Sequence, residues 1–312
     1  MTKNYYSNGK LLLSGEYAIL DGALSLALPT SYGQHLKVSE TDSKDLVWKS
    51  LDNYGAVWFE FNVDLRPGIK KCEKQFIESS TPPGNPIAKT LLKILKAAQN
   101  LNRDFLSERR GYLVETTLDF PRDWGLGSSS TLINNIAQWA KIDAFQLLWN
   151  SFSGSGYDIA CAQHNHPILY RLEGKSPHVV QVDFDPPFKD HLYFIHLNQK
   201  QDSREGIARY RLKNFDKPTL VAHITEITKK IATCQTLESF EILLEEHETL
   251  LSDVLKIPTV KKQLFHDYTR TIKSLGAWGG DFVLATGGPD TPDYFSKKGY
   301  QTCIPYSEMI LS

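Results

Sequence analysis

Residues 119–131 read DFPRDWGLGSSST, and the rest of the chain is best understood outward from them. A strand-like run, GYLVETTL (111–118), leads into this glycine–serine turn, and an amphipathic helix follows with Leu132, Ile133, Ile136, Ala137 and Ala140 at helical spacing. Gly125 and Gly127 allow a sharp turn and a close approach to a ligand. A helix N-terminus offers unpaired N–H groups and a partial positive charge, and Ser128, Ser129 and Ser130 add hydroxyls. That is a recipe for holding phosphate. It is equally the recipe for a serine-capped helix. The segment is neither a P-loop, since no GxxxxGK[ST] is present, nor a dinucleotide fingerprint, since a third glycine is missing.

Three further segments carry chemistry. NGKLLLSGEYAILDGALSLALPT (8–30) places Lys10 at the mouth of an apolar strand, with Glu16 just beyond it. A lysine there needs a partner for its charge, or it snorkels to water. FSGSGYDIACAQ (152–163) sets Asp158 behind two glycines, as a general base or as a helix cap. KSLGAWGGDFVLAT (273–286) brings bare backbone between a helix and a strand.

Composition narrows the classes. The chain has 312 residues, enough for about two domains. Its 35 Lys and Arg against 36 Asp and Glu leave a net charge of −1, which argues against a nucleic-acid binder or a polybasic membrane-surface protein. No apolar run approaches the roughly 18–20 residues of a membrane span, and the N-terminus is too polar for a signal peptide. The four cysteines, at 72, 161, 234 and 303, form no CxxC pair. A soluble, cytoplasmic protein with reduced thiols is expected. CAQHNH (161–166) lacks zinc-ligand spacing, and Ser7 to Lys10 matches SxxK without the helix that motif needs.

Periodicity predicts strands at 10–14, 23–29, 34–40 and 56–62, and a helix over 85–101 with Asn85 as N-cap and Pro86 at its first position. A strand at 191–197 precedes a long polar stretch to Lys213. Helices follow at 218–233, 237–256 and 259–274, and then the strand 282–286. His247 sits on a charged helix and reads as exposed. The Pro-rich 183–190 is the boundary candidate, giving two α+β domains, 1–187 and 188–312.

In this order the segments resemble the motifs of the GHMP kinase superfamily. GKLLLSGEYAILDG is similar to its first motif, 121–131 with GLGSSS to its ATP phosphate loop, and GAWGGD (276–281) to its third, GAGGGG or GAGGGD. GSGYDIA resembles the GSGxDxA of the mevalonate kinase and phosphomevalonate kinase branch, here of a GYDIA type. The resemblance implies a two-domain α+β fold, with a ribosomal protein S5 domain 2-like N-terminal domain and a ferredoxin-like C-terminal one. It implies transfer of the ATP γ-phosphoryl group, with Mg2+, to a small acidic acceptor, mevalonate or phosphomevalonate foremost, by a monomer or homodimer.

Residue by residue, the resemblance makes Asp158 the base or the group that orients the acceptor hydroxyl. Lys10 would keep Asp158 ionised and offset charge on the moving phosphoryl group. Gly125, Leu126, Gly127, Ser128, Ser129 and Ser130 would cradle the phosphates, with Ser129 facing magnesium. Gly276, Gly279 and Gly280 would shape the wall, with Glu16 in support. Lys200 and Ser203 are the favoured contacts to the acceptor's acidic end, ahead of Arg122, Arg204 and Arg209. Three residues depart from the pattern. Leu147 stands where mevalonate kinases carry a magnesium-binding Glu, Trp278 replaces a glycine and could close part of the pocket, and Tyr17 replaces a frequent His. Trp278 and Leu147 keep a nucleotide-binding or ligand-binding homologue with altered catalysis in play, and diphosphomevalonate decarboxylase, a lyase of the same superfamily, is the other alternative.

Overall fold

The computed structural model describes residues 1–311 except 108–109, 200–202, 277 and 279, together with the side chains of all these but Ser203 and Arg204. The predicted sites Lys200 and Gly279, and the side chain of Ser203, therefore lie outside the described residues. The chain divides into two compact units, Met1–Gly9 with Tyr32–Arg122 and Gly127–Gln163, and Lys10–Ser31 with Asp123–Leu126 and His164–Ser312. The Pro-rich 183–190 falls inside the second.

In the first unit, strand β1 (Thr2–Ser14) begins and strand β2 (Ser25–Thr41) ends; both also contribute to the second. Strands β3 (Asp45–Leu51) and β4 (Val57–Asp64) form an antiparallel hairpin. Its turn is closed by Asp52, whose carboxylate accepts from the N–H groups of Tyr54 and Ala56 at 2.9 Å. Strand β5 (Gly111–Leu118) pairs parallel with β3 and antiparallel with β2.

Helices α1 (Glu73–Glu78), α2 (Pro86–Leu101), α3 (Ser128–Ala140), α4 (Ala144–Ser151) and α5 (Tyr157–Gln163) complete the unit. The apolar stripe of α2 follows from Leu91, Leu92, Ile94, Leu95 and Ala98, all buried, and its start from Asn85, whose side chain accepts from Ile87 N–H at 2.9 Å. These residues meet Trp48, Phe59 and Phe61 of the hairpin and Ile133, Ile136 and Leu147 of the later helices in one core. Each such side chain contributes about 1.5–3 kcal/mol by leaving water.

The second unit holds the antiparallel hairpin of β6 (Ile168–Glu173) and β7 (Ser176–Gln181), with β2 paired to β6. It also holds an antiparallel sheet of β8 (Leu192–His196), β9 (Ile272–Ser274), β10 (Phe282–Thr286) and β11 (Cys303–Pro305), ordered β11-β8-β10-β9. Helices α6 (Ser203–Arg211), α7 (Lys217–Ala232), α8 (Leu237–Leu255), α9 (Val260–Leu264), α10 (Thr291–Lys297) and α11 (Tyr306–Met309) belong to the same unit, with α8 and α9 packed on β9 and α11 on β8 and β11. Asp216 and Thr236 cap α7 and α8 through Thr219 N–H and Ser239 N–H. Among the described residues no helix is long and apolar enough to cross a membrane.

Several elements differ from their sequence reading. The strands expected at 23–29 and 34–40 are one strand, because pairing to β6 on one stretch and β5 on the other keeps residues 25–41 extended. Lys10 lies inside a strand that starts at Thr2, not at its mouth. The helix expected over 259–274 stops at Leu264, and Ile272–Ser274 instead pairs with β10. The polar stretch after 197 contains α6.

Candidate active site

The glycine–serine turn has the backbone its sequence calls for. Gly125 and Gly127 have φ of +66° and +92°, a region that side chains with a Cβ avoid. Gly127 is the N-cap of α3, and no side chain caps the helix. Ser130 turns inward, donating to Gly127 O at 2.7 Å, so its hydroxyl is committed to the turn. Ser128 is half-buried and Ser129 exposed, while Leu126 is buried and pins the turn.

Within the second unit, Lys10 reads this turn directly. Its backbone N–H donates to Leu126 O at 3.0 Å, and its Nζ donates to Gly125 O at 2.8 Å. The lysine that sequence placed at a strand end therefore holds the glycine's carbonyl. Asp281, the last residue of GAWGGD, packs against Gly125. A methyl placed on Gly125 would fall 2.2 Å from the Asp281 Cγ. Asp281 itself has φ +51°, uncommon for a non-glycine residue. Trp124 packs edge-on against Phe282 at 5.5 Å, holding the start of the turn to β10.

Within the first unit, a buried polar lattice positions α3 and α5. Ser7 donates to Asn135 Oδ1 at 2.8 Å, and Asn134 Nδ2 donates to Ser7 Oγ at 2.9 Å and to Ala162 O at 3.3 Å. Asn135 Nδ2 donates to Gln34 O at 2.8 Å, and Thr131 Oγ1 to Gln34 Oε1 at 2.7 Å. Asp158 is in the first turn of α5, half-buried, behind Gly156 at φ +87°, and its Oδ1 accepts from Ile159 N–H at 3.2 Å. Arg122 stacks 3.6 Å over the Trp58 ring. Leu147 is wholly buried in the apolar core, so no ligand reaches that position. Cys161 is likewise buried.

Sequence reasoning missed a cluster of charge in the second unit. Glu16, His247, Glu248 and Lys273 are all at most 4% exposed. Lys273 Nζ donates to Glu16 Oε1 at 2.5 Å and lies 3.7 Å from Glu248 Oε1. His247 is buried, not exposed: its Nε2 accepts from Gly15 N–H at 3.0 Å and lies 3.2 Å from Glu16 Oε2. Burial pushes the Glu16 carboxyl up, against the pull of Lys273. It pushes Glu248 up to about 7 and holds His247 well below the usual imidazole range. Trp278 also differs from expectation. It is 7% exposed, in an apolar cluster with Tyr17, Tyr210, Leu220, Ile224 and Leu251, and so fills a core rather than a pocket. Gly276 has φ +68° and Gly280 is buried.

The structure is similar to several solved ones over nearly its whole length. A crystal structure of mevalonate kinase matches with a TM-score of 0.70 and 13% identity, covering 99% of this chain and 100% of that one. Phosphomevalonate kinase of Streptococcus pneumoniae, in complex with phosphomevalonate and AMPPNP, matches at 0.69 and 17%, over 97% and 99%. Lactococcus lactis galactokinase complexed with galactose matches at 0.69 and 13%, over 100% and 94%. The fold is that of the GHMP kinases. No protein-family model matches the sequence, and no curated protein does either. The GHMP-kinase fold accounts for the mixed α+β architecture and its mostly antiparallel sheets, as the motif order implied.

Proposed function

We propose that the protein is an ATP-dependent small-molecule kinase that phosphorylates a small acidic acceptor, with mevalonate and phosphomevalonate the foremost candidates. The observation that carries this reading is Lys10 Nζ on the carbonyl of Gly125, within a chain of GHMP-kinase fold. A cation fixed at the glycine turn offsets the charge of phosphates cradled by N–H groups at the start of α3. Phosphoryl transfer is largely a matter of such positioning and charge compensation.

In this reading Gly125, Leu126, Gly127 and Ser128 bind the phosphates through their backbone. Asp158 accepts or orients the acceptor hydroxyl proton, and Gly276 and Gly280 form a wall. Magnesium favours oxygen ligands, and the exposed Ser129 hydroxyl would supply one; the ion that accompanies ATP would neutralise phosphate charge there. The alternative of a non-catalytic binder rests on Trp278 and Leu147, and both are core residues.

The test is ATP consumption with Mg2+ over mevalonate, phosphomevalonate, diphosphomevalonate, homoserine and galactose, with products identified by mass. Gain of one phosphate on a single acceptor supports the kinase and names its substrate. Release of carbon dioxide from diphosphomevalonate, or ATP binding with no turnover on any acceptor, overturns it.

A further inference from the structure

Tyr17 and Trp278, two residues that depart from the family pattern, touch each other. The Trp278 backbone N–H donates to the Tyr17 hydroxyl at 3.0 Å. The Trp278 indole N–H donates to Pro258 O at 3.3 Å, which turns the ring into the core and presents its backbone to Tyr17. The Tyr17 ring is stacked on Tyr210 of α6 with centroids 5.5 Å apart, and Tyr210 donates in turn to Asp21 at 2.7 Å. Gly206, also on α6, lies so close that a methyl there would come within 2.6 Å of the Tyr17 hydroxyl oxygen. Tyr17 holds this place at φ +60°, ψ −48°, a conformation a non-glycine residue keeps only when its surroundings impose it.

The neighbouring residue works on the same loop. Glu16 holds Lys273, three positions before Gly276, and Tyr17 holds Trp278 inside the loop. The loop's far end is fixed by Asp281 N–H, which donates to Gln199 O at 3.0 Å. One phenol hydroxyl thus meets the first motif, the glycine loop and α6 together.

We infer that Tyr17 is a positioning residue that locks Trp278, within the third motif, to helix α6, so that this residue and the helix keep one arrangement. The inference rests on the proposed function only in giving that motif a task at the phosphates. The two departures answer each other: the large side chain at 278 fills the core, and the phenol at 17 takes up its backbone donor.

The experiment is amide hydrogen exchange on the full chain with Tyr17→Phe, which deletes the hydroxyl and keeps the ring stack. Losing one buried hydrogen bond should speed exchange at the Trp278 amide about 5- to 10-fold. Gly206→Ala, which crowds the same oxygen, should do likewise, and the double variant should fall short of the sum because both act on one group. Tyr294→Phe, which removes a hydroxyl bound to Asp267 on the exposed side of this unit, is the control and should leave that amide unchanged. Turnover supplies the second readout. With turnover normalised to the folded fraction, Tyr17→Phe should lower kcat about 10-fold with KM for ATP within about twofold, and the control Tyr294→Phe should leave both unchanged. Unchanged exchange at Trp278 in both single variants overturns the inference. An inactive wild type overturns the kinase reading instead, and the exchange result still decides this one. If Tyr17→Phe does not fold, Gly206→Ala alone decides it.

Discussion

Lys273 Nζ lies 2.5 Å from Glu16 Oε1 with both side chains out of water. The pair joins the first motif to the strand that leads into the third. A second carboxylate, Glu248, stands farther off at 3.7 Å, and one ammonium cannot neutralise two buried carboxylates. The nearer one keeps the ion pair, and the proton goes to Glu248, whose pKa is pushed up to about 7.

That raised pKa gives stability a definite dependence on pH. Folded Glu248 keeps its proton up to about 7, whereas the unfolded chain loses it near 4.5. Between those values the native state binds more protons, so stability falls as pH rises, and the full penalty is present above 7. His247, with its pKa lowered, acts in the opposite sense: the unfolded imidazole binds a proton below about 6.5 that the native one refuses, so stability falls as pH drops. Glu248→Gln removes only the first effect. Its stability relative to wild type should therefore climb between pH 4.5 and 7, by on the order of 3 kcal/mol, and stay level above. Urea unfolding at half-unit pH steps checks this; a difference independent of pH would mean that Glu248 is ionised throughout.

The same cluster shows why some of the structure was legible in the sequence and some was not. Helix α2 could be read because its signals are local: Asn85, Pro86 and an apolar stripe within sixteen residues. The glycine turn could be read because positive φ selects glycine at 125 and 127. His247 was misread because its helix neighbours are Glu245, Glu246 and Glu248, which suggest water. Its real partners, Gly15 and Glu16, are more than 230 residues away. Trp278 was misread for the same reason, since nothing near it in sequence announces Tyr17 or Pro258. Strand β9 has three residues and exists only through its pairing with β10, so no pattern inside it could separate it from the helix before it.

Asn135 should be among the costliest polar residues of the first unit to replace. It is fully buried and joins Ser7 on β1 to Gln34 on β2 from its place on α3. Asn135→Leu takes the acceptor from the Ser7 hydroxyl and the donor from a buried carbonyl. The expected loss is about 2–4 kcal/mol in urea unfolding. A loss under about 1 kcal/mol would show that the lattice rearranges at little cost.

Gly125→Ala tests the turn. The methyl would meet the Asp281 carboxyl carbon at 2.2 Å, in a backbone conformation that already disfavours it. Gly55 in the β3–β4 turn has φ +80° with open space around it, so Gly55→Ala carries the strain without the collision. On the proposed function, the Gly55 variant should lose about 1 kcal/mol of stability and bind ATP as the wild type does. The Gly125 variant should lose ATP affinity at least about tenfold by titration calorimetry, since the carbonyl held by Lys10 moves with it. Equal ATP affinity in the two variants would detach this turn from nucleotide binding.

Asp158 carries the sharpest prediction about chemistry. It stands in the first turn of α5, where Gly156 at φ +87° sets the path of the chain into the helix, and the lattice through Asn134 and Ala162 fixes that helix against α3. Asparagine keeps the size and the ability to accept from Ile159 N–H, but it cannot take a proton or carry the negative charge that orients a hydroxyl. If Asp158 serves the acceptor, Asp158→Asn should lower turnover by about 10²- to 10⁴-fold while the dissociation constant for ATP stays within about twofold. The measurement is steady-state turnover beside equilibrium nucleotide titration on the same preparation. Turnover near wild type would remove Asp158 from the reaction and leave it a helix residue, and parallel loss of ATP binding would make its role structural.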